Sequence, residues 1–183
     1  MATFTRKAIL ETFDSLLKEY PFDKITVSMV YRRCGISHNT FYYHFEDIYG
    51  LLEAWLEEKF RELFSNSKPY REKIRDLLLS CIENKETINH LFECLSRGLI
   101  ELYFYRESEH LFEPSLFSIP GTEELTKEQF KTILQFSSDV FFGRLIRFIW
   151  SGMTDDVEEV SSELEHFLTT YVNAILQQNN SGK

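Results

Sequence analysis

The chain has 183 residues, of which 29 are acidic and 20 are basic, so its formal net charge is −9. This balance argues against a surface coated with phosphate-binding charge. The composition, 43% hydrophobic and 27% charged, is that of an ordinary soluble protein long enough to bury a core without disulfides or metals. Glycines and prolines are few, seven and four, which favours long helices over turn-rich β architectures.

Two short helices joined by a tight turn are predicted after a first helix. Helical periodicity runs from Ile9 to Tyr20 and stops before a proline. Thr26 is a typical N-cap for the second helix, Gly35 can adopt the positive φ that ends it, and Ser37 is an N-cap for the third helix. The predicted second and third helices span 27–34 and 38–45.

The outer face of the third helix carries side chains that can read DNA. Phe41 and Phe45 are four residues apart and should be buried together. Amide, imidazole and hydroxyl groups remain outside, on His38, Asn39, Thr40, Tyr42, Tyr43 and His44. A merely solvated helix would more often carry Glu and Lys, so the pattern favours a DNA-binding helix-turn-helix. From these residues alone, the alternative is an αα-hairpin buried in a core.

The rest of the chain is also predicted to be helical. Asp47 can cap a long fourth helix that ends before residue 65. Further helices are expected over about 70–84, 86–96, 98–108, 127–152 and 157–178, with an unpatterned, proline-containing segment at 113–124 and a frayed tail from 179. Strand periodicity and internal repeats are absent from the sequence. The predicted fold is all-α with about nine helices, in a helix-turn-helix DNA-binding domain over 1–46 and a helical body over 47–183.

The last two predicted helices, 127–152 and 157–178, indicate a homodimer. Both are long, and the first is apolar around much of its circumference. That face is larger than one subunit is expected to cover, although packing within the chain is the alternative. We therefore expect two copies to pack these helices into a four-helix bundle.

A ligand pocket would have to come from the middle helices, and the sequence supplies only candidates for it. Aromatic and polarisable side chains that suit an apolar cavity are Trp55, Tyr70, Cys81, His90, Cys94 and Tyr103, although for each of them singly the pattern favours ordinary core packing. Glu109, His110 and Glu113 lack a second His or a Cys, so no metal site is predicted. No nucleotide-binding or hydrolase motif occurs, so neither an enzyme nor a cofactor is expected.

The cysteines and the N-terminus favour a cytoplasmic protein. The three cysteines include Cys34 and form no CxxC pair, so they are expected to be reduced and mostly buried, with a thiol switch as the alternative. The N-terminus enters an amphipathic pattern without an apolar signal core. The most apolar stretch, 130–150, is interrupted by four charged residues, which argues against a membrane span.

Three segments together resemble the DNA-binding signature of TetR/AcrR-type transcriptional regulators. They are Phe22 to Val27, the block from Cys34 to Phe45 that reads CGISHNTFYYHF, and Leu51-Leu52. The resemblance covers about residues 5–56 and implies a homodimer, a helical body with a small-molecule pocket, and DNA contacts from the third helix. It places Ser37, His38 and Asn39 against bases, Thr40, Tyr42, Tyr43 and His44 against phosphates or bases, and Thr26 and Ser28 at the backbone or groove edge.

The chain departs from this family pattern at two positions. Ile48 stands where the family usually has a phosphate-binding Lys, and Cys34 stands where a small residue commonly precedes the turn glycine. The first departure puts one backbone contact per subunit in doubt. The acidity also divides unevenly, since six basic and four acidic residues occur up to Phe45, against 14 and 25 from Glu46 onward.

The expected function is a ligand-responsive repressor that binds a palindromic operator as a homodimer. The alternative is a DNA-tethered activator or co-regulator whose C-terminal body binds a protein partner instead of a small molecule. In both cases the partner at the N-terminal end is double-stranded DNA. The effector, the operator and the regulated genes are not specified by the sequence.

Overall fold

The computed structural model describes residues 2–64, 68–94 and 112–181, and within these ranges it contains helices and no strands. The all-α prediction is confirmed. The helices with complete bounds are α1 (Ala2–Glu19), α2 (Val27–Cys34), α3 (His38–His44), α4 (Ile48–Phe64), α5 (Tyr70–Glu83), α6 (Lys85–Phe92), α7 (Lys127–Trp150) and α8 (Val157–Ser181). Residues 112–117 are also helical, and 3₁₀ turns lie at Phe22–Lys24 and Thr122–Glu124.

The described residues fall into two compact units. The first contains 2–62 together with 84–94, so α6 belongs with the N-terminal helices. The second contains 63–83 and 112–181. The chain therefore leaves the first unit after most of α4 and returns to it for α6.

One hydrophobic core holds the first unit together. It joins buried side chains of α1, α2, α3, α4 and α6, including Phe13, Val30, Phe41, Leu51 and Leu91. Burial of each such side chain stabilises the fold by about 1.5–3 kcal/mol. The short helices α2 and α3 are thus fixed by tertiary packing, because isolated helices of seven or eight residues are unstable in water.

A polar network beside this core links α1 to α4 through the half-buried carboxylate of Asp14. The indole Nε1–H of Trp55 donates to Asp14 Oδ1 at 3.0 Å. The ammonium groups of Lys18 and Lys59 lie 2.8 and 3.1 Å from the carboxylate oxygens. Burial raises the pKa of Asp14, but these hydrogen bonds and the charge of Lys59 outweigh it and hold the pKa below its usual value.

The second unit is built on α5, α7, α8 and residues 112–117. Its core contains apolar side chains from all four, among them Ile74, Leu78, Phe112, Phe141, Phe148 and Val172. A capping box begins α7, since the Thr126 hydroxyl accepts from the N–H of Gln129 at 3.2 Å and the Gln129 side chain accepts from the N–H of Thr126 at 3.0 Å. Arg144 of α7 binds Asp155 at 2.8 Å and Glu163 of α8 at 3.3 Å.

The structure corrects three predicted boundaries. Residues 112–117 are helical where an unpatterned segment was expected, because Phe112 and Leu116 are both buried at helical spacing. The last helix continues to Ser181 where a frayed tail was expected, since the amides of Asn179 and Gln129 bond each other reciprocally at 2.8 and 3.2 Å. The helix predicted to reach residue 96 ends at Phe92. The helix predicted over 98–108 lies outside the described residues.

None of the helices that the structure describes is both long and apolar enough to cross a membrane.

Candidate nucleic-acid interface

The turn between α2 and α3 is defined by local hydrogen bonds. The Thr26 hydroxyl accepts from the N–H of Met29 at 3.3 Å and caps α2. Gly35 has φ 71° and ψ 27°, a left-handed conformation that glycine adopts at little cost. The N–H of Ile36 then donates back to the carbonyl oxygen of Tyr31 at 3.0 Å, which closes the end of α2. Only three residues, 35–37, consequently separate the end of α2 from the start of α3.

Helix α3 is held by its inner face and presents its outer face to solvent. Phe41 and Phe45 are buried in the core of the first unit, and their ring centroids lie 5.8 Å apart. On the outer face His38, Asn39, Tyr42 and Tyr43 are exposed, and 78% of the Tyr43 surface is accessible. An apolar anchor combined with an exposed amide, imidazole and phenols is the arrangement needed for a helix that enters a major groove.

Aromatic contacts order the beginning of this outer face. The His38 ring lies 5.9 Å from the Tyr31 ring of α2 and 4.6 Å from the Tyr42 ring, measured between centroids. The Nδ1 atom of His38 is 3.5 Å from the Asn39 Oδ1 atom. These contacts restrict the rotamers of His38 and Tyr42 before any ligand binds, which lowers the entropy lost on binding.

Hydroxyl groups at the two helix starts are committed to local structure. The Ser37 oxygen accepts from the N–H of Thr40 at 3.1 Å and lies 2.8 Å from the Thr40 hydroxyl. The hydroxyls of Thr26 and Ser28 are 2.9 Å apart. Capping is therefore the structural role of Ser37 and Thr26, and a DNA contact from either group would be additional to it. The ninth predicted residue, His44, is partly buried, with its ring 5.1 Å from that of Tyr43.

The structure adds one candidate that the sequence analysis did not select. Arg32 is exposed in the last turn of α2, and it has no carboxylate partner among the residues described. The adjacent Arg33 differs, because its guanidinium bonds both carboxylate oxygens of Glu19 and lowers the pKa of that carboxyl group. The Arg-Arg pair was visible in the sequence, but which arginine remains available depends on a partner fourteen residues away.

The ligand-pocket candidates divide between the two units. In the first unit three of them make hydrogen bonds within the protein: Trp55 to Asp14, His90 Nδ1–H to the Leu17 carbonyl at 2.8 Å, and the Cys94 thiol to Asp23 at 3.4 Å. In the second unit Tyr70 and Cys81 are buried, and burial raises the pKa of the Cys81 thiol to about 12 and also raises the pKa of Tyr70. Tyr103, Glu109 and His110 lie outside the described residues. The described part of the chain contains no cluster of three potential metal ligands.

Two family profiles match the chain. Residues 9–55 match the profile of bacterial regulatory proteins of the tetR family, and residues 70–170 match that of a transcriptional regulator C-terminal region. The second profile alone covers more than half of the chain. The first contains the whole of the turn and of helix α3. A search of curated proteins found no significant match.

Solved structures agree with these profiles. A TetR transcriptional regulator from Streptococcus agalactiae 2603V has 26% sequence identity and a TM-score of 0.63, with 93% of this chain and 94% of that chain covered. The dihydroxyacetone kinase operon activator DhaS has 21% identity and a TM-score of 0.69, with 93% and 97% covered. A SmeT–triclosan complex has 15% identity and a TM-score of 0.56, with 93% and 90% covered, and shares the fold. The chain belongs to the TetR family and is a DNA-binding transcriptional regulator, not an enzyme.

Proposed function

We propose that this regulator is a ligand-responsive repressor, acting in the cytoplasm as a homodimer on a palindromic operator. The observation that carries the DNA-binding role is the two-sided character of α3. Its inner face is anchored through Phe41, while its outer face exposes Asn39, Tyr42 and Tyr43. A helix fixed on one side and polar on the other can hold base-reading groups in register.

Asn39 and Tyr42 are proposed to make different kinds of DNA contact. An amide can bond both the N6 and N7 positions of adenine, which discriminates against a wrong base by about 1–3 kcal/mol. The phenol hydroxyl of Tyr42 suits a phosphate oxygen, which carries no sequence information. Two such helices related by dimer symmetry would double each contribution.

A binding-site selection tests this assignment. A random DNA library is enriched on the wild type, on Asn39→Ala and on Tyr42→Phe, and the affinity of each protein is then measured on the selected site and on single-base variants. We expect Asn39→Ala to lose preference at one position of each half-site, and Tyr42→Phe to weaken all sites alike. An unchanged base preference in Asn39→Ala would show that α3 is placed wrongly on the DNA.

The homodimer is supported by exposed aromatic side chains on α7 and α8. Phe136 and Trp150 of α7 are 53% and 68% accessible, whereas Phe141 and Phe148 of the same helix are buried. On α8 the Phe167 and Tyr171 rings are stacked at 5.9 Å, and Tyr171 lies 6.0 Å from Phe136. Contiguous exposed aromatics are typical of interfaces. Sedimentation equilibrium of the free protein should give the mass of a dimer, and a monomer at micromolar concentration would contradict the proposal.

A second candidate replaces the small molecule with a protein partner and repression with activation. It is favoured by the fold similarity to DhaS, which is named an operon activator. The SmeT–triclosan complex supports the ligand-responsive alternative in the same indirect way. A thermal-shift screen of metabolites separates the two, because a ligand at 100 times its Kd stabilises the folded state by about 2.7 kcal/mol. A screen without any shift, together with co-purification of one protein, would favour the second candidate.

A further inference from the structure

The side chains of α3 that lie farthest from its buried side are those of Asn39 and Tyr43. Phe41 and Phe45 anchor the helix in the core of the first unit. At about 3.6 residues per turn, Asn39 and Tyr43 share one face, and this face lies opposite the two phenylalanines. The exposure agrees with this geometry, since Tyr43 is 78% accessible whereas Tyr42, one residue earlier, is 48% accessible. The face opposite the anchor is the part of α3 that can reach deepest into a groove.

The other polar side chains of α3 lie beside this face. The His38 ring packs against Tyr31 of α2 and against Tyr42, at 5.9 and 4.6 Å between ring centroids, so it lies on the side of α3 that meets α2. Thr40 and His44 are partly buried. These groups are placed to meet the edges of a groove. The face opposite the anchor thus carries one amide and one aromatic ring.

Helix α3 contains no lysine and no arginine, because its sequence is HNTFYYH. Guanine is read most often through its O6 and N7 acceptors, by arginine or lysine. The amide of Asn39 instead offers both an acceptor and donors, which match the N6 and N7 positions of adenine. The Tyr43 ring can pack its apolar surface against the C5-methyl group of thymine. The chemistry of the exposed face therefore favours A·T pairs over G·C pairs.

The spacing of the two side chains sets the distance between the bases that they contact. Four residues of α-helix rise by about 6 Å. Successive base pairs are about 3.4 Å apart along the DNA axis. Asn39 and Tyr43 consequently reach positions one or two base pairs apart when α3 lies along the major groove.

We propose that α3 reads two A·T pairs that lie one or two base pairs apart in each half-site of the operator. Asn39 bonds the N6 and N7 positions of adenine in one pair, and the Tyr43 ring packs against the thymine methyl group of the other. This inference rests on the proposed base-reading role of Asn39. It adds Tyr43 as a specificity-determining residue and A·T as the composition of the contacted step. The phosphate contact proposed for Tyr42 is separate, because Tyr42 lies on the flank of this face.

Modified bases test the two contacts atom by atom, on the DNA sequence found by the selection experiment. 7-Deazaadenine lacks the N7 acceptor and deoxyuridine lacks the methyl group of thymine, while both retain Watson–Crick pairing. Each adenine and thymine of a half-site is replaced in turn, and fluorescence anisotropy measures the affinity of the wild type. We expect 7-deazaadenine to weaken binding by about fivefold or more at one position. Deoxyuridine should weaken it by about fourfold at a thymine one or two base pairs away, which corresponds to one CH₂ group.

Variants then assign each effect to a side chain. Asn39→Ala should bind 7-deazaadenine DNA and unmodified DNA equally, and Tyr43→Ala should bind deoxyuridine DNA and unmodified DNA equally. Tyr43→Phe is the matched control, because it keeps the ring and removes the hydroxyl group, so it should keep the full deoxyuridine effect. Both side chains are exposed, so each variant should melt at the wild-type temperature.

The contrary results are equally specific. The adenine contact is refuted by a 7-deazaadenine effect that is missing, or that persists unchanged in Asn39→Ala. The methyl contact is refuted by a deoxyuridine effect that is missing, or that persists unchanged in Tyr43→Ala. If Tyr43→Phe weakens all DNA sequences alike and deoxyuridine has no effect, Tyr43 contacts a phosphate through its hydroxyl group. Because the inference requires both base contacts, refutation of either one overturns it.

The selection experiment separates failure of this inference from failure of the proposed function. If Asn39→Ala keeps the wild-type base preference, α3 is placed wrongly on the DNA and both fail. If Asn39→Ala loses preference at a G·C pair, or if no thymine methyl group contributes, the base-reading role of α3 stands and the A·T assignment alone fails. Loss of preference at an A·T pair, together with a methyl effect that depends on Tyr43, supports both.

Discussion

We expect replacement of Ile48 by lysine to steepen the salt dependence of operator binding by a defined amount. Protein–DNA affinity falls with salt because each neutralised phosphate releases counterions, with a log–log slope of about −0.9 for each contact. Ile48 is the first residue of α4, directly after Asp47, whose carboxylate accepts from the N–H groups of Tyr49 and Gly50 at 2.9 and 2.8 Å. It is the position at which the family usually has a phosphate-binding lysine.

The magnitude follows from the basic residues that are available. Of the six up to Phe45, four are paired within the chain: Lys7 with Glu11, Lys18 with Asp14, Lys24 with Asp23, and Arg33 with Glu19. Arg6 lies over the Phe45 ring, and Arg32 is exposed; neither has a carboxylate partner among the described residues. Two cations per subunit give four in a dimer and a slope of about −3.6. Ile48→Lys adds two, so its slope should be about −5.4.

Fluorescence anisotropy of labelled operator DNA, titrated between about 50 and 200 mM KCl, measures both slopes. Ile48→Gln is the matched control, because it introduces a polar side chain without charge and should retain the wild-type slope. A wild-type slope of about −9 or steeper would show that the paired cations also reach phosphates. An unchanged slope in Ile48→Lys would show that the start of α4 does not face the DNA backbone.

The remaining predictions concern stability, at Asp14 and Gly35 of the first unit and at Gly143 of the second. Asp14→Ala should lower the free energy of unfolding by about 1–3 kcal/mol, because the indole N–H of Trp55 loses its acceptor, whereas Asp14→Asn should lose less. Because the pKa of Asp14 is lower in the folded state than in the unfolded state, its ionisation stabilises the fold above about pH 4. This stabilisation is lost as the pH falls through the folded-state pKa. In urea unfolding, the free energy of unfolding should therefore fall more steeply with acidification in the wild type than in Asp14→Asn. Gly35→Ala should lower the free energy of unfolding by about 1–2 kcal/mol through its positive φ alone, since no atom outside the adjoining residues lies within 4 Å of the added methyl group. Gly143→Ala, in the exposed middle of α7, should instead raise the melting temperature because alanine favours the helix more than glycine does.

Local signals predicted the helix-turn-helix well because its boundaries are made by local bonds. The Thr26 and Ser37 caps and the Gly35 turn involve partners no more than five residues away, and the predicted α2 has the observed bounds. Contacts distant in sequence were not predictable in this way. The end of α8 depends on an amide pair between residues 50 apart, and the pairing of Arg33 depends on Glu19.

The same distinction applies to the second unit. Lys73 interrupts an otherwise apolar helical stripe, and the sequence pattern gives no reason to place a charged residue inside. Ser137 is similarly inconspicuous in a long apolar helix. The fold encloses most of the Lys73 side chain and buries Ser137, whose hydroxyl has no hydrogen-bond partner among the described residues.

Helix α6 belongs to the first unit although α5, which precedes it in the chain, belongs to the second. Leu91 is buried in the same core as Phe41, and the Nδ1–H of His90 donates to the carbonyl oxygen of Leu17. That carbonyl lies in the last turn of α1, where helical partners are missing, so the bond completes the end of α1. Because cores are close-packed, α6 cannot shift without changing the packing around Leu91. The core that fixes α3 thus continues into the segment through which the chain returns from the second unit.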